Sequence, residues 1–149
     1  MNLLGHLFHH ETPPPMAEEL IHWDGSLSVG NNLLDNEHRA IAAILNALYA
    51  HSRDHRLPLD VTRLCARLDQ TLRVHFANEE DVLARHRCPS LAHHHEAHAD
   101  ILAQLAALEA DLPARTASEI EAALANLIRH ILLHHVLVED MDAREFLKE

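Results

Sequence analysis

Four stretches of this chain have the apolar periodicity of amphipathic helices, and each carries ionisable side chains within or beside its apolar stripe. Leucine, isoleucine and valine recur every three or four residues, which indicates one buried face per helix. The ionisable residues in line with these faces are His38 in the first stretch, His75 and Glu79 in the second, and His94 and His98 in the third. In the fourth stretch His134 and His135 flank the apolar face, and Asp140 follows them. Helices that pack through these faces must bury many titratable groups.

The remaining features of the chain favour a single all-α domain. Only three glycines and 3% aromatic residues occur among 149 residues, which favours helices over sheet. The helices are expected at about residues 35–50, 60–85 and 91–112 and from Thr116 onward, with Asp60 as an N-cap and Thr116 and Glu119 as a capping box. Short connections make neighbours antiparallel, so we expect an up-down-up-down antiparallel four-helix bundle.

Residues 1–22 are interpreted as an N-terminal extended arm, and residues 23–149 as the bundle domain. Thr12 is followed by three prolines, which cannot continue a helix beyond its first turn. We assign no role to this arm.

Composition excludes several classes of partner. The formal net charge of −11 argues against nucleic acid and against anionic membranes, because both attract basic patches. The sequence contains no run of about 18 apolar residues and no basic start of a secretory signal. Cys65 and Cys88 do not form a CxxC pair, which suits a reducing compartment. We therefore expect a cytoplasmic protein, and a monomer.

Sixteen histidines make chance pairs frequent, so spacing alone does not identify a metal site. The His-x3-His spacing occurs four times, and a single pair more often marks a solvated helix face. Position on the buried stripes is the stronger signal, because burying so many unpartnered ionisable groups costs far more than a small bundle can absorb. A shared cation removes that cost. We interpret the other helical histidines as side chains on wet faces or helix ends rather than as a second site; they are His51, His55, His86, His93, His95 and His130.

The ligand types favour two iron ions. Imidazole and carboxylate without thiolate suit non-haem iron, and two carboxylates among five histidines suit a bridged pair. A mononuclear zinc site would use only three or four of these groups. Periodicity leaves the fourth-helix ligand open between His134 and His135, which both flank the stripe. Asp140 lies about 140° round a straight helix from His135, so the helix is expected to end or loosen there.

These motifs, in this order, resemble the hemerythrin family, specifically its single-domain bacterial members. The resemblance covers about residues 23–140. It rests on Trp23 with Ser28-Val29-Gly30, Asp35-Asn36-Glu37-His38, His75-Phe76-Ala77-Asn78-Glu79-Glu80, Pro89-x4-His94-x3-His98 and His135-Val136-x3-Asp140. Aliphatic residues flank the fourth-helix histidine in that family, and this pattern favours His135 over His134.

The resemblance implies a di-iron centre with an oxo or hydroxo bridge and O2 as its ligand. One iron would take His94, His98 and His135, and the other would take His38 and His75 and keep one position open. Glu79 and Asp140 would bridge the two ions. By position, the O2 pocket would be lined by Ile41, Phe76, Ile131, Leu132 and Val136.

The sequence departs from the family pattern at two positions. Glu37 stands where the family commonly has glutamine. Ile131 stands where tryptophan is common, so we expect a looser pocket and a shorter-lived oxygenated form. The main prediction is reversible O2 binding for storage, delivery or scavenging, not enzyme activity. The alternatives are an O2 or redox sensor acting through a separate partner protein, a di-iron enzyme for peroxide or nitric oxide, and an iron buffer. Manganese suits the same ligands.

Overall fold

The computed structural model describes residues 21–54 and 58–149. Its long helices are α1 (Asn32–Asp54), α2 (Pro58–Arg85), α3 (Leu91–Asp111) and α4 (Ala117–Arg129), and α4 runs on into a π-helix at His130–Asp140. Short 3-10 helices lie at Gly25–Leu27 and Leu112–Ala114, and a short helix α5 follows at Arg144–Leu147. Of the predicted arm, only the last two positions are among the described residues. His55 also lies outside the described residues.

The long helices pack as a four-helix bundle, which confirms the predicted fold class. Helix α1 contacts α2 and α4, and α3 contacts α2, α4 and the π-helix. The predicted capping box is present, since the Glu119 amide donates to Thr116 and the Thr116 amide donates to the Glu119 carboxylate. Helix α2 begins earlier than predicted, at Pro58, because proline is pre-organised for a first helical position; Asp60 lies in its first turn. No helix within the described ranges is long and apolar enough to cross a membrane.

Buried apolar side chains form two clusters of unequal size. The main apolar cluster draws on all four long helices, and Leu45, Leu68, Leu105 and Leu124 in it are fully buried. The cap cluster is smaller and contains Val29, Leu34, Val82, Leu83, Cys88, Ala143 and Leu147. Complete burial of one leucine stabilises the fold by about 1.5–3 kcal/mol, so the main cluster dominates the stability of the bundle.

A polar layer separates the two clusters. Along α1 the order is Leu34 of the cap cluster, then His38, then Ile41 of the main cluster. Helix α3 follows the same order, whereas α2 and the π-helix pass from the main cluster to the cap cluster. This alternation is the one expected of antiparallel neighbours.

Residues beyond the π-helix close the cap cluster, a feature that the sequence analysis did not predict. Leu147 of α5 is fully buried, and its carbonyl accepts a hydrogen bond from Asn31 Nδ2 over 3.1 Å. The Glu149 amide donates to the Gly30 carbonyl over 3.0 Å. Gly30 has φ of +76°, and a Cβ there would lie 2.9 Å from Lys148 Cβ, so only glycine fits this closure.

Candidate metal centre

The polar layer contains all seven residues predicted as metal ligands. Each is between 0 and 2% exposed; they are His38, His75, Glu79, His94, His98, His135 and Asp140. The alternative on the fourth helix, His134, has 62% of its side chain exposed. The structure therefore places His135 in the layer and His134 on the surface. Among the other helical histidines, His86, His93 and His95 are exposed, and His51 and His130 are half-buried.

Glu79 lies between two groups of histidines and directs one carboxylate oxygen toward each. Its Oε2 is 3.1 Å from His75 Nε2 and 3.7 Å from His38 Nε2. Its Oε1 is 3.1 Å from His98 Nε2 and 3.8 Å from His135 Nε2. A carboxylate in this position can contribute one oxygen to each of two adjacent ions.

Asp140 makes the same division. Its Oδ2 is 3.2 Å from His38 Nε2, whereas its Oδ1 is 3.3 Å from His135 Nε2 and 3.4 Å from His94 Nε2. The two carboxylates thus span the same pair of positions. One position lies beside two histidines, and the other lies beside three.

The π-helix accounts for the position of Asp140. In an α-helix, residues five apart point about 140° away from each other. In a π-helix the backbone hydrogen bonds join residues five apart. Residue i+5 therefore lies about one turn from residue i, on nearly the same side of the helix. The π-helix spans His130–Asp140, and Asp140 therefore shares a face with His135. The predicted loosening of the fourth helix before Asp140 is thus a π-helix.

Several buried atoms in the layer have no hydrogen-bond partner among the described residues. They are Nε2 of His38, His75 and His94, Oε2 of Glu79 and both carboxylate oxygens of Asp140. An unsatisfied buried polar atom costs on the order of 1–3 kcal/mol, so a ligand that binds these atoms would stabilise the fold. Converging imidazole nitrogens and carboxylate oxygens, without thiolates, form a donor set suited to iron or manganese. The seven side chains therefore fit a pair of such ions.

The outward nitrogens of two predicted ligands are held by carboxylates. His75 Nδ1 lies 3.1 Å from Glu37 Oε1, and Asn78 Nδ2 donates to Glu37 Oε2 over 2.7 Å. His98 Nδ1 lies 2.7 Å from Glu80 Oε1. A carboxylate at Nδ1 fixes the tautomer that leaves Nε2 free for a metal, and it makes the imidazole a stronger donor.

The spacing of ligands in the sequence does not by itself predict a role for these supporting residues. Asn78 and Glu80 flank Glu79 directly, so their side chains leave the helix on either side of a predicted ligand. That adjacency is the signal that could have identified them. Trp23 is a further neighbour, with its ring centroid 5.5 Å from that of His38.

Electrostatics in the layer favour positive charge. Burial opposes protonation of His75, but its contacts with the Glu37 and Glu79 carboxylates outweigh it and raise its pKa to about 10. Burial also opposes protonation of His94, whose contacts with Asp140 and Glu79 raise its pKa to about 9. Burial alone would raise the pKa of Glu79, yet three neighbouring histidines hold it well below its usual range. A bound cation would replace these protons, so metal uptake should release them.

The residues predicted to line the O2 pocket are all buried, between 1 and 4% exposed. Phe76 lies against the layer, where its ring stacks on His98 with centroids 3.9 Å apart and planes 5° apart. Its edge also faces the His135 ring at 5.6 Å. Ile41, Phe76, Ile131 and Leu132 belong to the main apolar cluster. The layer thus has an apolar wall, whose service as an O2 pocket stays a prediction.

Comparisons with known proteins agree on one family. A family model described as the hemerythrin HHE cation binding domain matches residues 29–146. Myohemerythrin from Riftia pachyptila is 26% identical over 121 residues, which are 81% of this chain and 91% of that protein. Hemerythrin-like proteins from Naegleria gruberi and Naegleria fowleri are each 29% identical over 119 residues, which are 80% of this chain and 87% of theirs. With its family model matched over most of its length, this chain belongs to the hemerythrin family.

Proposed function

We propose that this protein holds two iron ions in the polar layer and binds O2 reversibly. The observation that carries the proposal is the division of both carboxylates between a group of two histidines and a group of three. If Glu79 and Asp140 each give one oxygen to both ions, the ion beside two histidines has one protein ligand fewer than the ion beside three. A position with one ligand fewer has room for an external ligand.

The proposed ligand roles follow the two groups. His38 and His75 would hold the ion with the open position, and His94, His98 and His135 would hold the other. Bound ferrous iron would supply the two electrons that O2 accepts on binding and returns on release. Membership of a family described as cation-binding supports the ions, and the resemblance of the site motifs to hemerythrins supports O2 as their ligand.

The surroundings of the layer support binding without further reaction. The main apolar cluster lies on one side of the layer and the cap cluster lies on the other. Such dry walls slow the entry of protons. Protons that reached the bound oxygen would let it leave in a reduced form, and the iron would stay oxidised. Five neutral imidazoles also give the site less negative charge than the carboxylate-rich ligand sets of ferritin-like proteins. Fewer negative ligands make high iron oxidation states harder to reach.

The cellular location is also part of the proposal. Cys65 and Cys88 are buried free thiols. Free thiols are stable in a reducing compartment, so we place the protein in the cytoplasm.

Visible spectroscopy of the ferrous protein tests the function. The iron-reconstituted protein is exposed to air and then purged with argon. A charge-transfer band that appears with O2 and fades on purging is the expected result. His38→Ala should abolish the reversible band, whereas His95→Ala should retain it, because His95 has 71% of its side chain exposed.

Two other results would contradict the proposal. Direct conversion to a stable oxidised spectrum, with no reversible band, would favour an enzyme or a sensor. If the spectrum did not respond to O2 at all, an open di-iron site would be excluded. Replacement of iron by manganese in the same reconstitution tests the choice of metal.

A further inference from the structure

The outward nitrogen of His135 is buried but lacks the close contact that two other histidines of the layer have. His75 Nδ1 lies 3.1 Å from Glu37 Oε1, and His98 Nδ1 lies 2.7 Å from Glu80 Oε1. His135 Nδ1, by contrast, has no hydrogen-bond partner among the described residues. The ring of His135 therefore needs another group to fix its orientation.

The carboxylate of Glu139 faces this nitrogen. Glu139 follows His135 by four residues on the π-helix, and its Oε2 lies 3.5 Å from His135 Nδ1. The Glu139 side chain is only 9% exposed, and Oε2 is also buried without a hydrogen-bond partner in the described part of the chain. Two unsatisfied polar atoms thus face each other at the outer limit of hydrogen-bond distance.

The direction of the opposite nitrogen determines which of the two atoms is the donor. His135 Nε2 points into the polar layer, where it lies 3.0 Å from His98 Nε2 and 3.3 Å from Asp140 Oδ1. A neutral imidazole carries its proton on only one ring nitrogen. If Nε2 binds a cation, the proton must be on Nδ1, where it is a buried donor that requires an acceptor. Glu139 Oε2 is placed to accept it.

Two surface histidines contact the Glu139 carboxylate from the solvent side. His134 Nε2 lies 3.3 Å from Oε1, and His93 Nε2 lies 3.4 Å from Oε2. Their side chains are 62% and 66% exposed, so both remain hydrated while they contact the carboxylate. These contacts favour a carboxylate that stays beside His135 instead of turning out to solvent.

We propose that Glu139 is a positioning residue of the metal centre, which accepts a hydrogen bond from Nδ1 of metal-bound His135. This inference rests on the proposed di-iron function. A carboxylate at Nδ1 orients the ring and makes its Nε2 a stronger donor to the metal. The motif His135-Val136-x3-Asp140 leaves position 139 unspecified, so the family pattern assigns this residue no role.

Iron affinity, measured by competition with a chelator, is the first test. Glu139→Leu removes both the acceptor and the charge at similar size, and it should weaken binding of one of the two iron ions about 10–100-fold. Glu139→Gln retains an acceptor oxygen and should have a smaller effect. Glu145→Gln is the matched control, because the Glu145 side chain is 74% exposed and pairs with Lys148 on the surface. It should bind iron as the wild type does.

The outcomes separate this inference from the proposed function. A wild type that bound no pair of iron ions would contradict the proposed function itself. If the wild type bound two ions and Glu139→Leu bound both with equal affinity, only the role of Glu139 would be overturned. Circular dichroism should be the same in all four proteins.

Two further measurements distinguish positioning from a merely structural effect. In NMR spectra of the ferrous protein, Glu139→Leu should lose one slowly exchanging imidazole proton, whereas Glu139→Gln should keep it, because the glutamine oxygen still accepts. The reduction potential should rise in both variants, because both remove the negative charge that favours oxidised iron. An unchanged potential in Glu139→Gln, which preserves the shape of the side chain, would overturn the proposal even if Glu139→Leu failed to fold.

Discussion

The polar layer and the main apolar cluster lie on the same helices and are buried to the same degree, but they are stabilised differently. In the cluster, leucines such as Leu45, Leu68 and Leu105 are buried against each other and need no further partner. In the layer, nitrogen and oxygen atoms of His38 and Asp140 are buried without hydrogen-bond partners among the described residues. The cluster can form from the chain alone, whereas the layer leaves buried polar atoms that a bound cation would satisfy.

The main apolar cluster is therefore the source of the stability of the bundle, and the polar layer is the source of its chemistry. The burial energy of the cluster offsets the cost of holding seven polar side chains in the layer. Metal binding then stabilises the folded state further, in proportion to the logarithm of metal concentration over the dissociation constant. Substitutions in the two regions should therefore have separable effects on metal content and on stability.

The largest effect is expected from Glu79→Ala. Glu79 faces both histidine groups, so its removal takes one ligand from each proposed ion. Iron content should fall from two ions per chain to one or none, and the O2-dependent band should disappear. Elemental analysis of the reconstituted protein measures the iron, and circular dichroism should still show a helical bundle. Retention of two ions by this variant would remove Glu79 from the ligand set.

Leu68→Ala in the main apolar cluster should lower the stability of the protein and leave its iron content unchanged. Leu68 is fully buried, so its truncation should lower the free energy of unfolding by about 2–5 kcal/mol. Below the unfolding transition, the variant should still bind two iron ions, because Leu68 lies two helical turns from His75. Denaturant unfolding and elemental analysis provide the two readouts. Loss of iron in the folded variant would show that the two regions are not separable.

The pH dependence of stability should also distinguish the regions. In the metal-free protein the pKa values of His75 and His94 are raised to about 10 and about 9. A raised folded-state pKa gives stability that is complete below the unfolded pKa, about 6.5, and is lost as pH rises through the folded pKa. The metal-free protein should therefore become less stable from about pH 6.5 upward.

The iron-loaded protein is the control for this effect, because the bound cations replace the protons. Its stability should change much less over the same range. Measurements should stop near pH 9. Burial raises the pKa of Cys65 to about 12, so above pH 9 its thiol would add its own pH dependence to the free energy of unfolding. A metal-free protein of constant stability between pH 6.5 and 9 would contradict the assigned charge state of the layer.

Periodicity in the sequence was sufficient for the bundle and for five of the seven side chains in the layer. The reason is that α-helical periodicity places His38, His75 and His98 on the same faces as the leucines. Periodicity failed at His135, because the π-helix changes the angular step between residues. The choice between His134 and His135 came from the flanking aliphatic residues of the family pattern, and the structure places His135 inside.

Two further features depend on contacts that local sequence does not encode. Helix α5 spans only Arg144–Leu147, too short for a periodic signal, and Leu147 is held by Asn31, which is 116 positions away. The contact between His93 Nε2 and Glu139 Oε2, at 3.4 Å, likewise joins two helices that meet only in the folded bundle. Long-range packing determines both features, so neither could be read from spacing.

The smallest effect is expected at the boundary between the regions, with Ile131→Trp. Ile131 is 1% exposed in the main apolar cluster, and the family commonly has tryptophan at this position. A larger ring at the wall should restrict water entry and slow autoxidation of the oxygenated protein several-fold. Insertion of extra volume should also cost about 1–3 kcal/mol of stability.

Ile131→Leu, which conserves volume, is the matched control for this substitution. It should autoxidise at the wild-type rate, measured as the decay of the O2-dependent band at fixed pH. If the tryptophan variant autoxidised no more slowly than the wild type, Ile131 would have no part in shielding the layer. In that case the main cluster would act on the layer through stability alone, and the oxygen-facing wall would have to be sought beside Phe76.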